Sequence, residues 1–346
     1  MHGCAQEGHR PGQPAGAKAD GNLAPLTSLV RGGNDTNKKY DVITIGDCCV
    51  DLILSGGSVV PEFGQKEKIV DNYFLEMGGS CTIFACQAAK LGLKTAVIGK
   101  VGDDPFGDLI LQRLSGAGVD ISHVTRDKGV KTGITVVMNT GLDRAMLTYT
   151  GTIDVIGRED VADDMLASTR HLHVGSYFLM NRIRPHYPAI IEAVKASGAT
   201  VSVDTNWDPA EQWDGGLKRL LPLVDILMPN ENEAMAIAGT TTVDAAITVL
   251  RKVIPILVVK RGKDGATVHA KGEDHAVTAA KVKAIVDTVG SGDSFDAGFV
   301  YGYLNAMPLV ECARIGSMCG SIKTRAAGGI AGQVTLAELE KLMKTV

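Results

Sequence analysis

The sequence predicts an α/β protein: a doubly wound αβα sandwich, in which a parallel sheet lies between two helical layers, with a small β-sheet lid. Short apolar runs alternate with amphipathic helical patterns from about residue 40 onward, which is typical of a parallel sheet covered on both faces. Two segments, near residues 54–76 and 131–150, have the pattern of β ribbons without helices. We expect them to form the lid, inserted into the α/β body.

The first residues of the chain differ from the rest in composition. Residues 1–38 are rich in Gly, Ala, Pro and Asn and contain almost no pairs of apolar residues. Such a segment cannot bury enough apolar surface to offset the entropy lost on ordering, so it predicts a disordered leader. Residues 39–346 are expected to form the one domain that carries the function.

The elements of this domain follow from its periodicity, in chain order. The strand at 42–46 is rich in β-branched residues and ends on glycine, and the helix at 80–91 begins behind Gly78-Gly79. Further strands are predicted at 95–98, 200–204, 225–228 and 256–259, and further helices at 106–114, 185–196, 231–238, 243–252 and 295–304. An alternating segment ending at Val286 is also predicted to be β-rich. Gly298 and Gly302 predict close packing of the last helix against a neighbour.

Charge and cysteine content limit the expected partners and compartment. The formal net charge is −4, without a long basic stripe, and no apolar run approaches the ~20 residues that span a bilayer. We therefore expect no nucleic-acid or membrane partner. Seven cysteines without a Cys-x-x-Cys motif predict free thiols in a reducing compartment, and hence a cytoplasmic protein. His171 and His173 would share one face of a strand, but no third metal ligand is near them in sequence.

The stretch Gly290-Ser291-Gly292-Asp293 is the most informative, because a helical pattern follows it directly. Unpaired backbone N–H groups and the positive end of the helix dipole would face such a turn, and glycines would let a phosphate approach closely. The carboxylate of Asp293 would repel a resting phosphate but could accept a proton from an attacking hydroxyl. The alternative is that Asp293 only caps the helix.

Asn230 and Glu233 follow the predicted strand at 225–228 and are three residues apart. They would lie on one face of the first turn of a helix, where an amide and a carboxylate could hold hydrated Mg²⁺. The same spacing is that of a capping box, with Asn230 as the N-cap and Glu233 at the third helical position. The sequence leaves both interpretations open.

Three motifs, in this order along the chain, resemble the signatures of the ribokinase family, also called the phosphofructokinase-B type. They are Gly78-Gly79-Ser80 followed by Ala85, Ala88 and Leu91-Gly92; residues 98–107 (IGKVGDDPFG); and Asp287-Thr288-x-Gly290-x-Gly292-Asp293-x-Phe295. The resemblance covers about residues 41–346. It implies an ATP-dependent sugar kinase that transfers the γ-phosphoryl group to a hydroxyl of a small sugar, with a doubly wound body and a β lid.

The resemblance also implies roles for individual residues. Asp293 is implied as the catalytic base, with an anion hole formed by Gly290, Ser291 and Gly292. The sugar would be bound by Asp51, Gly78 and Gly79. The nucleotide and its Mg²⁺ would be bound by Asn230, Glu233, Lys260, Gly262 and Gly265, with Glu233 holding Mg²⁺ through water. A K⁺ site, as in some members, would be formed by Asp287 and residues 324–329.

Some positions depart from the usual pattern of the family. Ile83 and Cys49 stand where members often carry asparagines that meet the sugar, and Val289 replaces a common threonine. Ribose is therefore not the expected acceptor. A nucleoside kinase of the same fold is the alternative, and its candidate stacking residues are Phe74, Tyr149, Tyr177 and Phe178. An exposed lid edge is expected to pair in a homodimer.

Two other classes of protein are disfavoured by the motifs. A Rossmann dehydrogenase needs Gly-x-Gly-x-x-Gly after its first strand, and Gly46-Asp47-Cys48-Cys49 does not supply it. A non-catalytic relative would have no need for Asp293 directly after an intact glycine turn, Gly290-Ser291-Gly292. Both comparisons favour an active kinase.

Overall fold

The computed structural model describes residues 37–56, 59–140 and 144–344. The predicted leader, residues 1–38, therefore lies outside the described residues except for its last two. Lys38 donates hydrogen bonds to the main-chain oxygens of Ala167 and Ser197, at 2.5 and 3.0 Å. The first strand begins two residues later, at Tyr40.

The described residues form thirteen strands and ten α-helices. The strands are β1 (Tyr40–Ile45), β2 (Cys49–Ser55), β3 (Asn72–Gly78), β4 (Thr95–Gly102), β5 (Val124–Asp127), β6 (Gly133–Asn139), β7 (Arg144–Tyr149), β8 (Thr169–Val174), β9 (Thr200–Val203), β10 (Ile226–Leu227), β11 (Ile256–Lys260), β12 (Ala266–Ala270) and β13 (Glu273–Val277). The helices are α1 (Ser80–Lys90), α2 (Pro105–Gly116), α3 (Asp163–Ala167), α4 (Tyr187–Ala196), α5 (Leu217–Leu220), α6 (Glu231–Ala238), α7 (Val243–Leu250), α8 (Ser291–Leu304), α9 (Leu309–Lys323) and α10 (Leu336–Met343).

Nine strands form the large sheet, in the spatial order β13-β12-β11-β10-β9-β8-β1-β4-β5. Strands β1, β4, β5 and β8 to β11 are parallel, and β12 and β13 extend one edge as an antiparallel hairpin. From β1 the sheet first grows toward β5 and then, from β8, toward β13 on the other side. This winding in two directions confirms the predicted doubly wound fold.

Successive residues of the central strands point to opposite faces of the large sheet and bury two separate clusters. Ile43 and Ile45 pack in the cluster that includes helices α4 to α7. Val42 and Val258 pack in the cluster that includes α1, α8 and α9. These two helical layers confirm the αβα sandwich and explain why the strands are unbroken apolar runs.

Four strands form a second, smaller sheet in the order β3-β2-β6-β7. Strand β2 is parallel to β6, whereas β2 with β3 and β6 with β7 are antiparallel pairs. The first lid segment is predicted at residues 54–76, but β2 already begins at Cys49. The described residues between β2 and β3 form no strand, because Pro61 and Gly64 interrupt a charged stretch there.

The β-rich segment predicted to end at Val286 ends earlier, because β13 stops at Val277 and residues 278–289 contain no strand. Strand β13 is the outermost strand of the described sheet, so the residues after it have no neighbouring strand to extend the ladder. Val282 and Ile285 line a cleft instead. The apolar pattern of this segment therefore reflects contacts with a cleft and not with a sheet.

Helices α8 and α9 pack closely through glycines. A Cβ at Gly298 of α8 would lie 3.0 Å from Cα of Gly316 in α9. A Cβ at Gly302 would likewise lie 3.0 Å from Cα of Cys312. The backbones approach as the glycine spacing predicts, and side chains at these positions would push the helices apart.

His171 and His173, both in β8, are buried and contact hydroxyl groups. Nε2 of His171 lies 2.7 Å from Oγ of Ser202, and Nδ1 of His173 lies 2.9 Å from the same atom. Burial lowers the pKa of both imidazoles to about 3, so both are neutral. The residues that the structure describes contain no group of three His, Cys, Asp or Glu side chains placed to hold a metal.

Two observations concern the expected compartment and partners. The described ranges hold six cysteines, all of them buried free thiols: Cys48, Cys49, Cys81, Cys86, Cys312 and Cys319. Burial raises the pKa of each of these thiols. Among the helices described, none is by itself long and apolar enough to cross a bilayer, although the bent pair α6–α7 together has that length and composition.

Candidate active site

Polar residues of the candidate site follow the carboxyl ends of the parallel strands, where ligands bind in open α/β sheets. Asp47 follows β1, Ser176 follows β8, Asp204 follows β9, Asn230 follows β10 and Lys260 ends β11. Strands β1 and β8 are neighbours at which the winding direction changes. A crevice is expected at such a point, and the structure gathers the site residues along this edge.

Asp47 fixes the start of α1. Its carboxylate accepts backbone N–H bonds from Ser80 and Cys81, at 2.8 and 2.9 Å, and a hydroxyl hydrogen bond from Ser176 at 2.5 Å. Gly79 has a φ of +87°, and a Cβ there would lie 2.0 Å from the main-chain oxygen of Asp47, so only glycine fits. The sequence predictions miss Asp47, although its position directly after the first strand is a usable signal.

Asp293 lies in the first turn of α8, which begins behind Gly290 with a φ of +75°. No side-chain hydrogen bond caps this helix, so Asp293 is not its N-cap. Instead, the hydroxyl of Ser80 donates a hydrogen bond to Oδ1 of Asp293. Burial raises the pKa of Asp293 to about 7; the carboxylate of Asp204 adds to this shift, and the Ser80 bond and the charge of Lys260 oppose it. A carboxylate with this pKa is suited to proton transfer near neutral pH.

Lys260 lies between two carboxylates, and only 12% of its side chain is exposed. Its Nζ lies 2.5 Å from Asp204 and 3.2 Å from Asp296. Burial by itself lowers the pKa of Lys260, but these carboxylates and Glu233 raise it above its ordinary value. Burial likewise raises the pKa of Asp204, yet the ammonium group outweighs burial and lowers it, so this pair is ionised. A Cβ at Gly292 would lie 3.4 Å from Nζ, which places the positive charge next to the glycine turn.

Asn230 and Glu233 form the capping box that their spacing allows. Oδ1 of Asn230 accepts the N–H of Glu233 at 3.0 Å, and Oε2 of Glu233 accepts the N–H of Asn230 at 2.8 Å, at the start of α6. Burial, together with the charge of Asp204, raises the pKa of Glu233 to about 7, and Lys260 opposes the shift. The pair therefore caps α6 and at the same time belongs electrostatically to the Lys260 cluster.

Asp51 lies in β2 of the small sheet and is buried. A Cβ at Gly78 would lie 2.2 Å from its Oδ1, so the carboxylate occupies space that only a glycine leaves open. Burial raises the pKa of Asp51 to about 7, and nearby carboxylates, including that of Asp293, add to the shift. Arg144 of β7 opposes it and also approaches the glycine turn, where its Nη1 is 3.5 Å from Oγ1 of Thr288. The small sheet therefore reaches the glycine turn and the surroundings of Asp293.

A cleft of about 410 Å³ opens beside the glycine turn. Its lining includes Lys260, Gly262 and Gly265 from the predicted nucleotide site, and Ser291 and Gly292 of the turn. Its apolar lining is formed by Ala279, Ala280, Val282, Ile285 and Phe295. The size and the apolar lining of the cleft fit the purine base of a nucleotide, and the backbone N–H groups of the glycine turn fit the phosphates of that nucleotide.

Most of the predicted site residues thus fall into two groups. Lys260, Gly262, Gly265, Ser291 and Gly292 line the cleft, and Asp51, Gly78 and Gly79 lie on the side of the small sheet and the start of α1. Asn230, Glu233 and Asp293 are not in the lining of the cleft. The hydrogen bond from Ser80 to Asp293 joins the two sides. Asp293 is therefore positioned between a cleft that fits a nucleotide and a second, smaller group of polar residues.

Asp287 has protein donors on all three of its oxygens. Oδ1 accepts the N–H of Val289 at 3.0 Å, Oδ2 accepts the N–H of Gly328 at 2.8 Å, and the main-chain oxygen accepts a hydrogen bond from Lys323 at 3.2 Å. The main-chain oxygen of Thr324 accepts two backbone N–H groups. Protein donors therefore engage oxygens at which the sequence predicts K⁺.

The four aromatic residues considered for nucleoside stacking do not converge. Phe74 and Tyr149 are exposed on the small sheet, in β3 and β7. Tyr177 and Phe178 are buried in the core, where Tyr177 packs against Tyr187. These side chains do not form one stacking surface.

Known proteins resemble this chain in sequence and in structure. The family model for pfkB family carbohydrate kinases matches residues 39–336. The 5-dehydro-2-deoxygluconokinase of Geobacillus thermodenitrificans is 26% identical over 327 residues, which cover 90% of this chain and 95% of that protein.

Two solved structures are similar over most of their length. Adenosine kinase from Sinorhizobium meliloti has a TM-score of 0.79 and 26% identity, and the match covers 88% of this chain and 99% of that one. Fructokinase from Vibrio cholerae O395, solved with fructose, ADP and calcium ion, has a TM-score of 0.73 and 25% identity, with 88% and 99% covered.

The region matched by the family model contains every residue of the candidate site, from Asp47 after β1 to Gly328 after α9. The fold, the glycine turn behind Asp293 and the adjoining cleft agree with this match. The chain therefore belongs to the pfkB family of carbohydrate kinases, which makes it an ATP-dependent sugar kinase.

Proposed function

We propose that this kinase transfers the γ-phosphoryl group of ATP to a hydroxyl of a small sugar or sugar derivative, with Asp293 as the general base. The position of Asp293 carries this proposal: it is buried in the first turn of α8, next to the glycine turn, and bound by Ser80. Its pKa of about 7 lets the ionised form take a proton from the acceptor hydroxyl near neutral pH.

The acceptor would be bound by Asp51, Gly78 and Gly79. An ionised carboxylate accepts several hydrogen bonds, so Asp51 can bind two neighbouring hydroxyls of a polyol. Such bonds stabilise the charged form and would bring the raised pKa of Asp51 down when the sugar binds. The glycines leave the carboxylate room and keep the backbone close to Ser80.

The phosphoryl group would be held by Gly290, Ser291 and Gly292. Their backbone N–H groups stand at the positive end of the 14-residue helix α8, and Lys260 adds positive charge beside Gly292. These groups are in place before charge develops on the transferred phosphoryl oxygens. Preorganised donors of this kind usually make a large contribution to transition-state stabilisation.

Mg²⁺ would be held through water by Glu233, next to Asn230. Mg²⁺ prefers few protein ligands and several waters, so this pair fits the ion even while it caps α6. Bound there, the ion would neutralise charge on the phosphate oxygens. Lys260, Gly262 and Gly265, which line the cleft, would bind the nucleotide itself.

The acceptor is proposed to be a sugar or a sugar acid and not ribose. Ile83, at a position expected to meet the sugar, packs against Gly329, where a Cβ would lie 2.4 Å from its Cδ1. Cys49 is buried as well and offers only a thiol. The relative from Geobacillus is named for a sugar acid, and Arg144 provides a positive charge near Thr288 that can pair with a carboxylate.

A nucleoside acceptor is the second candidate, because the structure of the Sinorhizobium adenosine kinase is similar to this one. A nucleoside pocket needs a surface on which the base can stack. Tyr177 and Phe178 are buried in the core and do not supply it, so the sugar is favoured.

We further propose a cytoplasmic enzyme that forms a homodimer through its small sheet. Six buried free thiols suit a reducing compartment. Strands β3 and β7 expose apolar side chains that a second copy would cover. The net charge of −4 gives no reason to expect a nucleic-acid partner. K⁺ at Asp287 stays a prediction, which the protein donors on its oxygens do not favour.

A screen of acceptors tests the substrate class. ADP release would be measured with fructose, 5-dehydro-2-deoxygluconate, ribose and adenosine, at fixed ATP and with Mg²⁺ titrated. We expect a sugar or sugar acid to give the highest kcat/KM, with Mg²⁺ required. Ribose or adenosine as the best acceptor would contradict the assignment of the acceptor but not that of the base.

The base is tested with Asp293→Asn, which keeps the shape of the turn but cannot accept the proton. We expect kcat to fall at least ~10²-fold while calorimetry shows unchanged ADP binding. Asp244→Asn is the matched control, because it removes an exposed acid from the first turn of α7, and it should leave kcat unchanged. Near-normal turnover of Asp293→Asn would contradict the role of Asp293.

A further inference from the structure

Lys323, the last residue of α9, is buried as completely as the residues of the core. Lysine is almost never fully buried unless its charge has partners, because the ammonium group loses its hydration. Its Nζ donates a hydrogen bond to the main-chain oxygen of Asp287 at 3.2 Å. The proposed reaction does not use Lys323, so its burial has to have another reason.

Lys323 lies directly behind the glycine turn. Asp287, which accepts its hydrogen bond, also accepts the N–H of Val289, the residue before Gly290. Gly290 contacts the segment after α9, because a Cβ there would lie 2.9 Å from the main-chain oxygen of Gly329. A chain of contacts therefore connects the ammonium group, through Asp287, to the backbone of the glycine turn.

The charges around Lys323 favour a cation at this place. Burial lowers the pKa of Lys323 to about 8, while the carboxylates of Asp287, Asp293 and Asp51 act to raise it and Arg144 acts to lower it. The C-terminal end of the 15-residue helix α9 adds negative potential. An ammonium group here balances the same negative potential that a K⁺ ion would balance.

The oxygens predicted to bind K⁺ do not fit that ion. K⁺ sites use carbonyl oxygens that replace the water around the ion. Both carboxylate oxygens of Asp287 accept backbone N–H groups, and its main-chain oxygen accepts the hydrogen bond from Lys323. The cation that the structure supplies is covalently attached to the chain.

We propose that the ammonium group of Lys323 is a built-in cation that positions Asp287 and the glycine turn, in place of K⁺. Lys323 is then a positioning residue, and the enzyme needs no monovalent salt. The inference rests on the proposed role of the glycine turn as the anion hole, and it goes beyond it by naming what holds that turn.

Thermal unfolding tests the proposed role of the Lys323 ammonium group in the absence of substrate. Wild type, Lys323→Ala and Lys323→Met would be melted in KCl, propylammonium chloride and tetramethylammonium chloride at equal ionic strength. Wild type should melt at one temperature in all three salts. Lys323→Ala should melt about 2 °C or more higher in KCl or propylammonium chloride than in tetramethylammonium chloride, because the smaller cations bind in the vacated space.

Lys90→Ala is the matched control. Lys90 is partly buried and, like Lys323, donates to a main-chain oxygen, that of Ile330, at 2.9 Å, but it is not bonded to Asp287. Its removal should lower the melting temperature equally in all three salts. A purely structural role of Lys323 would give the same result as this control.

Turnover supplies a second readout. Wild-type kcat should be the same in all three salts, whereas kcat of Lys323→Ala should fall ~10-fold or more in tetramethylammonium chloride and recover in KCl or propylammonium chloride. Lys323→Met keeps an apolar side chain of similar length, so it should stay folded and lose activity without recovery. The comparison of the two variants distinguishes the loss of the Lys323 charge from the loss of its side-chain volume.

A K⁺-specific rise in the melting temperature or turnover of wild type would contradict the proposal. Full turnover of both Lys323 variants in tetramethylammonium chloride would contradict it as well. If neither variant folds, the comparison of salts on wild type decides alone. Failure of the proposed function would look different, since no acceptor would release ADP while the melting temperatures would still report the cation.

Discussion

At the scale of single residues, the carboxylate of Asp51 is the group with the clearest expected effect on the acceptor. It lies against Gly78, so Asp51→Ala removes an acceptor of hydroxyl hydrogen bonds without forcing the backbone to move. We expect the sugar KM to rise and kcat/KM to fall by roughly 10²-fold or more, on the scale of one or two charge-assisted bonds at ~1.5–3 kcal/mol each. The affinity for ATP should stay the same. Steady-state kinetics with each substrate varied in turn measure both.

Asp71→Ala is the control for this change, because Asp71 is an exposed acid just before β3. It should leave both KM values unaltered. Sugar kinetics of Asp51→Ala that match wild type would remove Asp51 from the acceptor site and leave it as a buried residue of the small sheet.

The sequence could predict site residues that stand in motifs or at strand ends, and it missed those defined by distant contacts. Asp293, Lys260 and Glu233 follow recognisable local patterns. Asp204 ends a predicted strand, and its position at the carboxyl end of the sheet is a signal from which it could have been predicted. Ser80 meets Asp293 across 213 positions of the chain, and no local pattern encodes that contact.

At the scale of elements, the small sheet exposes more apolar surface than a free face usually does. Every residue of β7 is exposed, as are the first four residues of β3. We expect a homodimer that covers this surface, since exposed apolar strands favour pairing. Light scattering on the eluted protein should give twice the mass of the chain, and Leu147→Glu, in β7, should shift the protein to monomer.

Val249→Glu is the matched control for Leu147→Glu, because Val249 is an exposed apolar residue on α7, far in sequence from the small sheet. It should leave the mass unchanged. A wild-type protein that is monomeric at micromolar concentration would contradict the dimer, whatever the variants do.

The sequence predicts best the central parallel strands and the amphipathic helix α7. Strands β1, β4, β9, β10 and β11 are short apolar runs, and α7 has one apolar face. The edge strands β5, β12 and β13 are not among the predicted strands. Helix α9 is buried on most sides and rich in Gly, Ser and Cys, so it has no clear apolar stripe from which to predict it. Residues 278–289 are irregular, and apolar side chains among them line a cleft. In the sequence, such a segment cannot be distinguished from a strand.

At the scale of the whole molecule, the site makes folding sensitive to pH. Burial raises the pKa of Asp51, Glu233 and Asp293 to about 7 each, while unfolded carboxyls titrate near pH 4. Between these values the folded protein binds more protons than the unfolded chain. The stability from these groups is therefore complete below about pH 4 and is lost as the pH rises through 7.

Asp293→Asn should remove one such group and stabilise the protein at high pH. We expect its melting temperature to equal that of wild type near pH 4 and to exceed it by about 2–4 °C at pH 8. Differential scanning calorimetry across this pH range measures the gap, and Asp244→Asn serves again as the control. A gap that does not grow with pH would contradict the raised pKa of Asp293.

The glycine contacts between α8 and α9 have a consequence for motion. Gly298 and Gly302 bring the two backbones so close that neither helix can slide or rotate past the other without a clash. Helix α8 carries Asp293, the proposed base, and α9 ends in Lys323 and lines the cleft, so these parts form one rigid frame. Any closure around the substrates, on the microsecond to millisecond timescale usual for lids, then has to be carried by the small sheet swinging against that frame.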